Sequence, residues 1–134
     1  MSAEYTYDYA ILRVVPRVDR GEAVNVGVIL SCPELQFLEA RIEVDEDRLL
    51  TLDPTVDLAT VRQALNAILA VSRGDADTGP LGEMPQRNRF YFLVGPRSTI
   101  VQPSATHTGR TADPKATLEA LMVKLVRTPV AGSW

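Results

Sequence analysis

Apolar and polar positions first follow a period of two. Tyr5, Tyr7, Tyr9, Ile11, Arg13 and Val15 alternate with Thr6, Asp8, Ala10, Leu12 and Val14, which predicts a strand over 5–15. Pro16 ends it, because proline supplies no ladder donor. Val24, Val26, Val28 and Leu30 then alternate with Asn25, Gly27 and Ile29, predicting a second strand over 24–30. A third strand is expected over 35–44, with Leu38, Ala40, Ile42 and Val44 on one face and Glu39, Arg41 and Glu43 on a wet one. Short links between the three suggest an antiparallel meander.

The period changes after Asp45, where 45–52 reads as a short helix or turn. Leu58, Val61, Leu65, Ile68, Leu69 and Ser72 then recur at helical spacing. Asp53 and Asp57 are N-cap candidates, and Gly74 is placed as the C-cap. The stretch 75–88 has no period and holds Gly79, Pro80, Gly82 and Pro85, so a flexible surface loop is expected, or else a lid or partner-docking segment. Phe90–Val94 is apolar throughout and reads as a fourth, central strand, with a short fifth at 99–102. A polar loop should follow over 104–112. Asp113-Pro114 opens a last helix that carries Leu118, Leu121, Met122 and Leu125.

This order predicts an α+β fold: a mostly antiparallel sheet of four to five strands with two main helices packed on one face. The length of 134 residues fits a single domain over 1–134, with its core at about 5–127 and a frayed tail at 128–134.

Composition changes that picture little. The net charge is -3, with 17 acids and 14 bases. The distribution is less even: residues 34–57 hold eight acids against two arginines, and residues 87–127 hold seven bases against two acids. That split fits two solvated surfaces, or a basic end that meets an acidic partner. A near-neutral total gives no nucleic-acid footprint, so nucleic acid is an unlikely partner. Cys32 is the single cysteine, so no internal disulfide forms, which suits a reducing cytoplasm. The N-terminus lacks a signal-peptide pattern, and no apolar run would span a bilayer. A cytoplasmic protein without membrane contact is therefore expected. One Cys and one His cannot make a structural zinc site, and no metal or other cofactor is expected.

Two polar constellations stand out. Arg17, Arg20 and Glu22 surround Gly21 in one turn, followed by Asn25 in a strand. They could hold an anion or partner, or form a solvated hairpin whose Asn is satisfied by backbone. The second runs from Arg97 through Ser104 and His107 to Arg110, ahead of a helix N-terminus. Hydroxyls, arginines and the only histidine there suit phosphate or carboxylate, with His107 the one weak catalytic candidate. Asp113 would compete with an anion, and the spacing matches no P-loop. A shared pocket would favour a ligand-binding protein or enzyme. Separation would favour an interaction module, which the absence of a recognisable catalytic set already suggests.

Tyr7-x-Tyr9-x-x-Leu12-Arg13-Val14-Val15-Pro16, Arg20-Gly21-Glu22, Asn25-Val26-Gly27-Val28-Ile29-Leu30 and the distal His107-x-Gly109 with Asp113-Pro114 resemble a small bacterial family catalogued as domain of unknown function 3037. The resemblance covers about 5–127. It implies no activity and no residue role. It does imply a genomic neighbour, a kinase of the HipA type, and so an accessory or regulatory partnership with it. A homodimer is also compatible.

Overall fold

The computed structural model describes residues 3–127. The element order is β1 (Tyr5–Val14), β2 (Val24–Cys32), β3 (Phe37–Ile42), α1 (Glu46–Leu52), α2 (Leu58–Arg73), α3 (Pro80–Glu83), α4 (Gln86–Val94), β4 (Val101–Pro103), β5 (His107–Thr111) and α5 (Pro114–Leu125). It is an α+β fold on an open antiparallel sheet of five strands. The strand order is β3-β2-β1-β4, and β5 also pairs with β1. The expected meander is β1-β2-β3.

Chain chemistry explains the helix ends. Asp57 accepts from the Thr60 amide to cap α2, and Gly74 closes that helix at a φ of 72°. Asp45 and Asp113 cap α1 and α5 in the same way. Asp53 is no N-cap: its amide closes α1 on the Leu49 carbonyl, and its side chain holds a turn by accepting from the Thr55 amide.

A bulge in β2 sets which residues face where. Leu12 pairs with Gly27 but Arg13 pairs with Asn25, so Val26 is the extra residue. Side-chain parity flips there. Val24 and Val26 join the cluster with Leu12, Val14 and Leu65, whereas Val28, Leu30 and Cys32 join Leu118 and Met122. The expected single valine face is thus divided between the two sides of the sheet. The two main helices divide in the same way: α2 and α4 pack on one face, and α5 covers the other. Both faces of β2 are apolar, so each needs its own cover.

Gly27 permits this packing. A Cβ there would overlap the Arg41 carbonyl oxygen of β3. Gly27→Ala is therefore expected to cost about 1–3 kcal/mol, read as a lower urea midpoint. An unchanged midpoint would show that the bulge has room to relax.

Three expectations for the second half are corrected. Phe90–Val94 is no strand but the end of α4, with Phe90 and Leu93 buried one helical turn apart. The 75–88 segment is no open loop. It holds a 3-10 turn at Ala76–Thr78, then α3 and the start of α4. Thr78 Oγ1 donates to the Asp75 carbonyl at 2.5 Å, and Arg89 reaches the Met84 carbonyl at 2.7 Å. The polar stretch 104–112 contains β5, which pairs with β1 from Tyr5↔Thr111 to Tyr9↔His107. Smaller differences are the 3-10 turn Pro33–Leu35 ahead of β3, and β4 at Val101–Pro103 rather than 99–102. The expected tail at 128–134 lies outside the described residues. Among the described residues no helix is long and apolar enough to cross a membrane.

Candidate functional site

An acid on the core-facing side of β1 organises a polar cluster that joins four elements. Asp8 stands across from Ser31 of β2 and Thr108 of β5, on the face shared with Ala10 and Leu12. Arg87 of α4 reaches down to it. Its Nη2 donates to Asp8 Oδ2 at 2.5 Å, its Nη1 to Ser31 Oγ at 2.8 Å and its Nε to the Tyr91 hydroxyl at 3.1 Å. Thr108 Oγ1 donates to the other Asp8 oxygen at 2.6 Å. The Arg87 guanidinium also lies 5.1 Å from the Phe90 ring centre and 4.8 Å from that of Tyr91. One ion pair thereby ties α4 to three strands.

The electrostatics favour a charged carboxylate. Burial pushes the Asp8 pKa up, but hydrogen bonds from Thr108 and Arg87 and the Arg87 charge outweigh it, so the net shift is downward. Asp8 is ionised at neutral pH and Arg87 neutralises it locally.

Two depressions flank α4. On the Tyr91 side is a cleft of about 650 Å³, between Phe90, Tyr91 and Val94 and the Pro103–Thr106 connection, with Asp8 in its wall. That connection bows out between β4 and β5, while Ser104 stays on β1 through its amide to the Ile11 carbonyl at 2.8 Å. On the Phe92 side an apolar groove runs along α2. Tyr91 is 58% and Phe92 44% exposed, beside a Phe90 that is 1% exposed. Two neighbouring aromatics on one short helix thus meet solvent.

The residues singled out in the sequence are dispersed. Arg17 pairs with Asp19 at 3.7 Å, and Arg20 with Glu22, all within the β1–β2 link. Asn25 donates to the Leu125 carbonyl at 2.9 Å, so its amide fastens the end of α5. Arg97 caps the end of α4 through the Phe92 carbonyl at 2.8 Å. Ser104 lines the cleft. His107 sits across from Tyr9, with ring centres 5.2 Å apart, on the α5 side of the sheet. Arg110 donates to the Glu4 carbonyl. Neither the cleft nor the groove is lined by Arg17, Arg20, Glu22 or His107.

The uneven charge also closes on itself. Arg127 binds Glu43 at 2.9 Å and also Glu119, and Arg41 binds Glu119 at 2.6 Å. The Arg127–Glu43 pair thus joins the basic segment to the acidic one, while Glu119, an acid inside the basic segment, gathers Arg127 and Arg41. Cys32 is buried, and desolvation raises its thiol pKa against a smaller lowering by the Leu35 amide. It is a poor nucleophile there.

Sequence reading missed Asp8, Ser31, Arg87, Tyr91 and Phe92, and took Thr108 for a hydroxyl of an anion loop rather than the partner of Asp8. One signal for Asp8 was present: a lone acid on the strand side that also carries Ala10, Leu12 and Val14. A charge on a core face demands a partner.

Fold and site define an α+β protein whose most exposed aromatic surface, among the described residues, is one helix latched to the sheet by an ion pair. The chain belongs to the family described as protein of unknown function (DUF3037), whose profile matches residues 9–126. No curated protein and no solved structure matches it.

Proposed function

We propose that this chain is a non-catalytic interaction module that docks on a protein partner through the surface centred on α4. The carrying observation is the exposed pair Tyr91 and Phe92, each with an arginine stacked against it. Aromatic and arginine side chains dominate the energetics of protein interfaces. The Asp8–Arg87 latch holds their backbone in place, so less ordering entropy is lost on docking. The partner is the HipA-like kinase that the family resemblance implies. The alternative, an enzyme or binding protein for a phosphate-bearing molecule, required the Arg20 turn and His107 to share a pocket. Their dispersal lends it no such pocket.

Co-expression of the two chains with an affinity tag on the kinase tests the proposal. Both chains should elute together in fixed proportion. Separate elution at micromolar concentration would contradict it.

A further inference from the structure

The groove on the Phe92 side of α4 has a floor of small side chains. Ala64, Ala67 and Ala70 follow one another along α2, a rise of about 9 Å, and present only methyl groups. Leu81 of α3 walls both of its depressions, of about 250 and 420 Å³, and Phe92 of α4 walls the first. The two depressions share Ala67, Val71 and Leu81, so they form one continuous trough.

Its ends carry opposite charge. Arg97 lines the end that includes Ala64. Its guanidinium lies 5.5 Å from the Phe92 ring centre, with Nε and Nη2 engaged by the Gly95 and Phe92 carbonyls. Nη1 remains for an outside acceptor. Asp77 lines the other end beside Ala70, and it is exposed and forms no ion pair among the described residues.

We infer that this trough receives an amphipathic helix of the protein partner, with the partner's helix C-terminus and its acidic residues at Arg97 and its N-terminus at Asp77. The methyl floor lets a helix backbone come close, and Leu81 and Phe92 grip apolar residues spaced i, i+3/i+4, i+7. Both ends complement a helix dipole in this orientation only, since its C-terminus is negative and its N-terminus positive. A reversed helix would place like charges together at both ends. The inference rests on the interaction-module reading and adds the chemistry and direction of what binds.

Two synthetic amphipathic peptides of identical composition test it. One carries Lys in its first turn and Glu in its last, and the other has these exchanged. Fluorescence anisotropy should show the Glu-ended peptide binding about tenfold more tightly. Amide resonances of Ala67, Val71 and Leu81 should shift on its addition. Arg97→Glu leaves both ends acidic and should abolish the preference. Ala67→Arg, on an exposed helix position that tolerates arginine, should abolish binding of both peptides without lowering the melting temperature. Equal affinities, or no resonance shift up to millimolar peptide, would overturn the inference. So would a dimer of this chain that Ala67→Arg dissolves, because a second copy would then own the trough. If the peptides fail while the kinase elutes equally with wild type and Ala67→Arg, the trough is refuted and the module stands. If the peptides bind as expected but the kinase does not elute with the chain, the kinase partnership is refuted alone.

Discussion

Phe90→Ala is expected to be the most damaging single substitution on α4, lowering stability by about 3–5 kcal/mol. Phe90 is 1% exposed and packs in the cluster of Leu12, Val14, Leu65 and Val101. Truncation removes the ring from that cluster and leaves a cavity that rigid strands cannot collapse. Tyr91→Ala and Phe92→Ala should each cost about 1 kcal/mol or less, because both rings meet solvent. Urea unfolding of the three variants measures this directly. The contrast is specific to a helix. A strand over these residues would bury alternate side chains, making Phe92 as costly as Phe90. Equal losses at 90 and 92, with Tyr91 silent, would contradict α4.

Asp8→Asn should produce the second large effect, a loss of about 1.5–3 kcal/mol at neutral pH. The amide cannot neutralise Arg87, which sits 30% exposed over a carboxylate that is 19% exposed. The pH dependence has a defined sign. Thr108 and Arg87 lower the folded pKa of Asp8 below the ordinary carboxylate value, against the opposing pull of burial. The unfolded chain therefore takes up the proton first as pH falls. The stability that Asp8 contributes is complete above the unfolded value of about 3.9, and is lost as pH falls through the folded value. The gap between wild type and Asp8→Asn should accordingly narrow on acidification below about pH 5. A gap that stays constant from neutral pH to pH 2 would show that the carboxylate charge does no work in the latch.

How much of this was legible depends on where the deciding interaction lies along the chain. The meander and α2 were readable because local patterns specify them. Alternation marks β1, and Asp57 and Gly74 bracket α2 within its own sequence. The face assignment in β2 was not readable, since one extra residue at Val26 inverts it and a bulge has no hydrophobic signature. The α4 segment, Gln86–Val94, has no apolar period, because Tyr91 and Phe92 face outward beside buried Phe90 and Leu93. A contiguous apolar run of five residues fits a strand as well as a helix. What decides between them is tertiary: Arg87 finds Asp8, which lies 79 residues away. β5 was hidden for a similar reason. His107–Thr111 is polar and mostly exposed, an edge strand held by β1 rather than by its own composition. The candidate residues near Gly21 and His107 stood out by polarity alone, and the fold places them on different elements. The surface that gathers aromatics, an ion pair and two depressions comes from residues that looked unremarkable one at a time.

If α4 is the docking element, its two exposed rings should carry much of the binding energy. Calorimetry of the purified HipA-like kinase against wild type and the double variant Tyr91→Ala/Phe92→Ala tests it most directly, after a melting curve confirms that the variant is folded. Wild type should bind at micromolar affinity or tighter, and the variant at least about tenfold more weakly. Equal affinity of the two proteins, or no binding by wild type, would contradict docking through α4.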